Sequence, residues 1–243
     1  MKDLLMVVGK QYLNGLNKGW YDKSVTNDVK RRVEFVDQDD IVNSNITLHT
    51  VPTYRGKDLY IKDSHSNVYV SMDDDNIEKL FITSQCNAVK EALVRMGAKR
   101  ITIKKTVKDV EKEETAVNGN AKYALVKGEV HVGWDKSTSI NLQGMISSED
   151  PNRKPKPFAD VMAFINEHGL ANDTFLTGLA KRLENDERLS GKEEYSVNWL
   201  SELKSSWNFA VDIKAKLVNA HVDAMHKKEH IHEFTSVIEV DFG

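Results

Sequence analysis

The sequence predicts an α+β protein with a largely antiparallel sheet and helices packed on one face of that sheet. Several segments place apolar residues at positions i, i+3, i+4 and i+7, which is the period of a helix with one buried side. Other segments alternate apolar and polar residues, which is the period of a half-buried strand. A helical segment followed by extended sequence also occurs twice, and the remaining elements are arranged around these two helix-then-strand units.

The two helix-then-strand units have similar ends. Their helical segments stop at Gly97 and Asn219. Glycine and asparagine are the residue types that most readily adopt the left-handed conformation that ends a helix. Extended sequence follows at residues 100–104 and 234–240, so each unit is predicted to be a helix followed by a strand.

Shorter patterns predict the other elements. Glu78 follows Asp75 by three residues, which is the spacing of a capping box, in which each side chain satisfies a backbone amide at the helix start. Turn-forming residues between β-branched runs predict a hairpin. The predicted strands are 33–36, 46–51, 59–61, 68–70 and 193–199, and the predicted helices are 77–81, 84–96, 158–165 and 175–183.

Residues 124–146 show the clearest alternation in the chain. Apolar or small residues occupy the even positions on both arms, and turn formers lie between the arms at residues 135–138. The segment is therefore predicted to be a long antiparallel hairpin with one apolar face. The same alternation is typical of a membrane-inserting hairpin, which needs one apolar face and one wet face.

The domain organisation is predicted from where these patterns fall. Strand-like patterns dominate residues 1–75, which are predicted to form a small β-rich N-terminal part. Residues 76–243 are predicted to form the main α+β body, and the chain length also permits one continuous domain. Residues 152–157 include three basic residues and two prolines, so they are predicted to be a linker or an exposed crossing.

The composition excludes several classes of protein. The net charge of −3 provides no basic surface for nucleic acid, so no nucleic-acid partner is expected. The single cysteine, Cys86, rules out an internal disulfide and the paired cysteines of zinc or redox motifs. No run approaches the roughly 18–20 apolar residues of a membrane-spanning helix, and residues 1–8 lack the features of a signal peptide. A cytoplasmic location is expected.

Histidines suggest a metal site. Four of the eight histidines, with Glu233 after them, fall within residues 221–233. On a helix His226 and His230 would share one side, whereas on a strand His230 and His232 would point the same way. The alternation of the last predicted strand favours the second arrangement. Because neutral imidazoles are common zinc ligands, His226, His230, His232 and Glu233 form the candidate metal site.

The function is predicted from what the sequence contains and lacks. It has no motif for nucleophilic catalysis or for phosphate binding. The first hypothesis is a soluble, non-catalytic binding or effector protein without a cofactor, which contacts a small ligand, a protein partner or another copy of itself. One alternative is a zinc-dependent enzyme built on the histidines. The other is a pore-forming protein that inserts the hairpin 124–146 into a membrane.

The metal site predicts a loss of zinc on mutation. If His230 and His232 are ligands, purified wild-type protein should carry stoichiometric zinc, and the double alanine variant should lose it. Elemental analysis after dialysis measures the metal content, and alanine at His49 and His168 provides a control for histidines outside the cluster. A His230→Ala, His232→Ala variant that retains stoichiometric zinc would contradict the site.

Overall fold

The fold is known from a computed structural model that describes residues 2–20, 27–41, 43–50, 58–108, 130–131, 139–140, 142–185, 188–218, 231 and 233–243. Helices and strands are mixed along this part of the chain, and the predicted α+β class is confirmed. The described strands form two four-stranded sheets, one mixed and one antiparallel, and one two-stranded pair.

The elements are numbered in chain order. The described strands are β1 (Leu4–Val8), β2 (Val33–Asp37), β3 (Asp58–Asp63), β4 (Val68–Ser71), β5 (Arg100–Lys108), β6 (Val130–His131), β7 (Ser139–Ile140), β8 (Ser148–Glu149), β9 (Lys192–Trp199) and β10 (Phe234–Asp241). The described helices are α1 (Lys10–Asn17), α2 (Asn27–Arg32), α3 (Gln38–Ile41), α4 (Ile77–Arg95), α5 (Leu142–Ile146), α6 (Phe158–Glu167), α7 (Thr174–Glu184) and α8 (Ser201–Val218). The two predicted helix-then-strand units correspond to α4 with β5 and to α8 with β10.

The contacts divide the chain into two compact units, each assembled from two separate stretches. Unit 1 comprises residues 1–81 and 201–231, and unit 2 comprises residues 82–200 and 232–243. Helix α4 begins in unit 1 and continues into unit 2. The boundary expected after residue 75 stays a prediction.

Unit 1 contains the mixed sheet, with the strand order β2-β1-β3-β4. β1 lies parallel to β2 and antiparallel to β3, and α8 contacts β3. All five residues of β1 are buried, which suits its uninterrupted apolar run, because a strand covered on both faces needs no polar side. The strand predicted at 33–36 is confirmed as β2. The described part of 46–51 contributes only an isolated bridge between Leu48 and Tyr69.

The hairpin predicted in unit 1 is confirmed as the antiparallel pair β3 and β4. Its turn is organised by the buried Asp63, whose carboxylate accepts from the amide of His65 at 3.0 Å and from the hydroxyl of Ser66 at 2.6 Å. Asn67 ends the turn with a φ of 58°, a left-handed conformation that asparagine tolerates. The polar residues between the two strands are therefore explained by the turn.

Unit 2 contains the antiparallel sheet, with the strand order β8-β5-β10-β9. β10 lies between β5 and β9 and pairs with each along its whole length. Its residues alternate between buried and half-buried, because one face of the sheet packs on the core. The register with β5 shifts between Val237 and Ile238, which marks a bulge. The strands predicted at 193–199 and 234–240 are confirmed.

A buried hydroxyl joins the three long strands of this sheet. Ser236 on β10 is fully buried, and its Oγ accepts from Nε1 of Trp199 on β9 at 2.8 Å. The same Oγ lies 2.9 Å from Oγ1 of Thr106 on β5. Buried polar atoms are costly unless they are paired. The hydroxyl of Ser236 provides a hydrogen-bond acceptor for the indole N–H of Trp199, so this cluster favours one register of the strands.

The helices predicted at 158–165 and 175–183 are confirmed as α6 and α7. Gly169, which follows α6, has a φ of 67°. Asp173 caps α7, and its Oδ1 accepts from the amide of Leu176 at 2.9 Å. The other carboxylate oxygen accepts from the hydroxyl of Tyr195 on β9, whose ring is stacked on Phe175 with the centroids 4.5 Å apart. The cap therefore also attaches α7 to the sheet.

Some local predictions are wrong. The two helices predicted at 77–81 and 84–96 form one continuous helix, α4. The second arm of the predicted hairpin includes β7, but residues 142–146, which were expected to continue it, form helix α5. Leu142 and Ile146 in α5 are both buried and lie four residues apart, a spacing that suits a helix as well as it suits a strand.

The segment 152–157 is mostly exposed, as predicted, and it contacts the chain just after the end of α4. Arg153 donates to the carbonyl of Ala98, and Pro155 lies against Gly97. A β-carbon on residue 97 would come within 2.9 Å of the Pro155 nitrogen. Gly97 also has a φ of 90°, which confirms its predicted left-handed conformation, whereas Asn219 lies outside the described residues. Glycine is thus required both for the backbone angle and for the close approach of the crossing.

Gly97→Ala should lower the free energy of unfolding by about 1–3 kcal/mol, because alanine is strained at this φ and would press on the Pro155 backbone. Gly178 is the matched control, since it lies inside α7 and a β-carbon there meets nothing within 4 Å. Gly178→Ala should raise the free energy of unfolding by about 0.5–1 kcal/mol. Urea denaturation measures both changes, and effects of the same sign would contradict the role of Gly97.

Ser236→Ala should destabilise the protein by about 1–3 kcal/mol, because it leaves the indole N–H of Trp199 buried without its acceptor. Trp199→Phe removes the donor instead. The double variant should cost less than the sum of the two single variants, because neither polar partner remains. Thermal or urea unfolding of all four proteins measures this coupling, and strictly additive costs would show that the hydrogen bond contributes nothing.

Candidate functional site

β9 forms one edge of the antiparallel sheet in unit 2. It pairs with β10 along all eight of its residues and with no other strand in the described part of the chain. Natural edge strands are often short or covered, because their free backbone groups can pair with another chain. A typical strand has about five or six residues, so β9 is a long edge strand and a candidate binding surface.

The hydrogen bonds at the two ends of β9 show which of its residues face outward. At one end, the amide of Phe242 donates to the carbonyl of Gly191 at 2.9 Å, so the odd-numbered residues of β9 bond to β10. At the other end, the side chain of Gln85 donates to the carbonyl of Asn198 at 3.3 Å and accepts from the amide of Leu200 at 3.4 Å. The even-numbered residues therefore direct both backbone groups away from β10.

The side chain of Gln85 occupies only the carboxyl end of this edge. Its amide takes the place that a peptide group of a neighbouring strand would occupy. Within the described residues, no group bonds to the outward amides and carbonyls of Lys192, Glu194 and Ser196. All three residues are exposed. We call Lys192, Glu194 and Ser196 the open edge of β9.

The two faces of β9 differ in polarity. Tyr195, Val197 and Trp199 are buried in the core of unit 2, whereas the side chains of the open edge lie on the solvent face. The apolar side fixes the orientation of the strand, since a shift of one residue would place the charged side chains in the core. The open edge is therefore presented in one defined register.

Ion pairs run across the solvent face of the sheet. Lys104 on β5 contacts Glu194 at 2.7 Å and Glu239 on β10 at 2.9 Å, and Lys192 contacts Glu239 at 3.0 Å. Hydrogen bonds from Lys104 and Lys192 hold the pKa of Glu239 below its ordinary value. Hydrogen bonds to Glu194 and Glu239 raise the pKa of Lys104. Charged side chains thus line the solvent face up to the open edge.

The arrangement at the open edge suits recognition of an extended chain. A segment laid beside β9 would pair with the outward amides and carbonyls, and such main-chain hydrogen bonds supply the affinity in strand addition. The side chains on the two faces would then distinguish one segment from another. This geometry supports binding and does not itself supply a reactive group.

Of the four residues predicted to bind zinc, the structure describes only Glu233. His226, His230 and His232 lie outside the described residues. Glu233 directly precedes β10 and is half-buried. Among the residues that the structure describes, no group of three or more His, Cys, Asp or Glu side chains is placed to hold a metal ion. Zinc binding by the histidines stays a prediction.

The hairpin predicted at 124–146 is described only in part. β6 and β7 form an antiparallel pair with Val130 opposite Ile140, and residues 124–129, 132–138 and 141 lie outside the described residues. No helix in the described ranges is both long enough and apolar enough to cross a membrane. Membrane insertion of the hairpin stays a prediction.

Two residues of types that often act as nucleophiles have structural roles here. Cys86 is buried, and burial raises the pKa of its thiol to about 12, which keeps it protonated at neutral pH. Ser64, in the turn between β3 and β4, donates to the carboxylate of Glu202 at 2.6 Å. An activated serine instead donates to a base such as histidine, so this contact gives no support for nucleophilic catalysis.

The sequence predicted β9 as a strand but not as an edge. Its alternation of apolar and polar residues showed one buried face, whereas its position in the sheet depends on pairing with β10, which lies far along the chain. One signal was available. Three consecutive charged residues begin the strand, Lys192 to Glu194, and such charges are typical of edge strands.

No protein family model, curated protein or solved structure matches this chain. The function is therefore inferred from the geometry of the open edge.

Proposed function

We propose that this protein is a non-catalytic binding protein that receives an extended segment of a protein partner along the open edge of β9. The observation that carries this proposal is the row of outward amides and carbonyls at Lys192, Glu194 and Ser196, which have no partner within the described residues. Addition of a peptide strand to an exposed sheet edge is a recurring mode of peptide recognition.

The surroundings of β9 support its role as a rigid template. The strand is paired along its length with β10. Below the sheet, the hydroxyl of Tyr195 donates to the cap of α7, and the indole of Trp199 donates to Ser236. A strand that is already ordered loses little conformational freedom on binding, which favours affinity.

Ser196→Pro should weaken the binding of a short synthetic peptide of alternating threonine and valine by at least about tenfold. The substitution removes an outward N–H and places a ring at the edge. The fold should survive, because this N–H is not part of the ladder with β10. Fluorescence anisotropy with a labelled peptide measures the affinity, and thermal unfolding of the variant checks the fold.

Ser196→Ala is the matched comparison, because it removes the hydroxyl and keeps the N–H, so only the proline variant should show the loss. Hydrogen exchange of the wild-type protein provides a second readout that needs no variant. The peptide should slow exchange at the amides of Glu194 and Ser196. Unchanged exchange at both amides, with saturating peptide, would contradict the proposed function.

A further inference from the structure

We infer that the partner of the open edge is a segment of a different protein that runs antiparallel to β9. The segment carries a basic residue opposite Glu194 and, two residues later, an acidic residue opposite Lys192. This inference rests on the proposed function and specifies the partner for the same site. Three features carry it: the charges on the solvent face, the orientation of the existing strands, and the poor fit of a second copy of this chain.

The charges at the open edge are only partly neutralised within the sheet. The side chain of Glu194 is 62% exposed and shares the ammonium of Lys104 with Glu239. The side chain of Lys192 is 60% exposed and shares the carboxylate of Glu239 with Lys104. In a neighbouring strand, the residues directly opposite would have Cβ atoms about 4.5–5.5 Å away, and opposite charges there are stabilising. A basic and an acidic residue in the partner would therefore complete the row of charges.

The orientation of the partner follows from the sheet that it extends. β8, β5, β10 and β9 are antiparallel to their neighbours throughout, and antiparallel pairs are slightly more stable per residue than parallel ones. In an antiparallel segment, the residue opposite Glu194 precedes the residue opposite Lys192. The expected order is therefore basic residue, intervening residue, acidic residue.

A second copy of β9 contains this order of charges, but it can form only a very short ladder. When Lys192 of each copy lies opposite Glu194 of the other, each strand extends the ladder on its amino-terminal side only as far as Gly191. Gly191 has a φ of 77° and leaves the extended conformation. The same register places Glu193 of each copy directly opposite its counterpart, and like charges in that position are destabilising.

The other registers of a second copy are also unfavourable. Only even-numbered residues face outward, so the register can change only in steps that keep even residues opposite one another. With Lys192 opposite Ser196, Glu194 of the two copies would face each other. With Lys192 opposite Asn198, the second strand would meet the side chain of Gln85. A parallel two-fold pairing would place every charge opposite itself.

Three synthetic peptides of the same length test the inference on the full chain. All alternate valine with other residues, and they differ only at two central positions. One has lysine then glutamate, one has glutamate then lysine, and one has threonine at both. The lysine-first peptide should bind about three- to thirtyfold more tightly than the glutamate-first peptide, which has the same composition and net charge. High salt should reduce this ratio.

Exchanging the charges on the protein should invert the preference. In a Lys192→Glu, Glu194→Lys variant, the glutamate-first peptide should become the tighter ligand. Equal affinities of all three peptides for wild-type protein, or tighter binding of the glutamate-first peptide, would overturn the inference and leave the proposed function intact. Absence of binding by all three, including the neutral peptide, would overturn the proposed function itself.

The exclusion of a second copy has its own measurement. Sedimentation velocity should show that the wild-type protein does not dimerise through the open edge. Ser196→Pro should therefore leave the oligomeric state of the protein unchanged. A dimer that disappears in this variant, while the variant keeps its thermal unfolding transition, would show that another copy occupies the open edge. That result would overturn the assignment of a foreign partner.

Discussion

The pairing of β10 with β5 on one side and with β9 on the other is the interaction on which the structure of unit 2 depends. β10 is the strand through which β9 belongs to the sheet, and the hydroxyl of Ser236 links the indole of Trp199 to Thr106 across it. The buried face of β10 packs on the core, and its solvent face takes part in the ion pairs. One strand therefore determines both the position of β9 and the charges beside its open edge.

Two glutamine side chains occupy the margins of this sheet. Gln85 bonds to both backbone groups at the carboxyl end of β9, and Oε1 of Gln143 accepts from the amide of Ile103 on β5 at 3.0 Å. A side-chain amide satisfies an edge strand without presenting a further backbone to the solvent, so it ends the sheet at that point. Within the described part of the chain, this protection at β9 covers only the carboxyl end and leaves residues 192–196 uncovered.

The parts of the fold that were predictable are those encoded by local patterns. Alternation identified β9 and β10, and the left-handed conformation of Gly97 was correctly predicted. Errors arose where one spacing fits two periods, as for Leu142 and Ile146 in α5.

The open edge could not be derived in the same way. Pairing between distant segments decides whether a strand is central or at an edge. The residues of β9 that direct their backbone groups outward are revealed only by contacts of Gly191 and Gln85 with residues far away in the chain. The charged start of β9 was visible in the sequence, but similar runs occur on many solvated surfaces. The candidate site therefore emerged only once the strand order was known.

Unit 2 is built from two separate stretches of the chain, so its strands are not all synthesised together. β5 and β9 leave the ribosome before residues 232–243, which contain the strand that joins them. A newly synthesised chain therefore passes through an interval in which both edges of β9 are unpaired and the sheet cannot yet close. The charges at the start of β9 discourage adventitious pairing during this interval, so the residues proposed to select a partner in the finished protein also protect the growing chain.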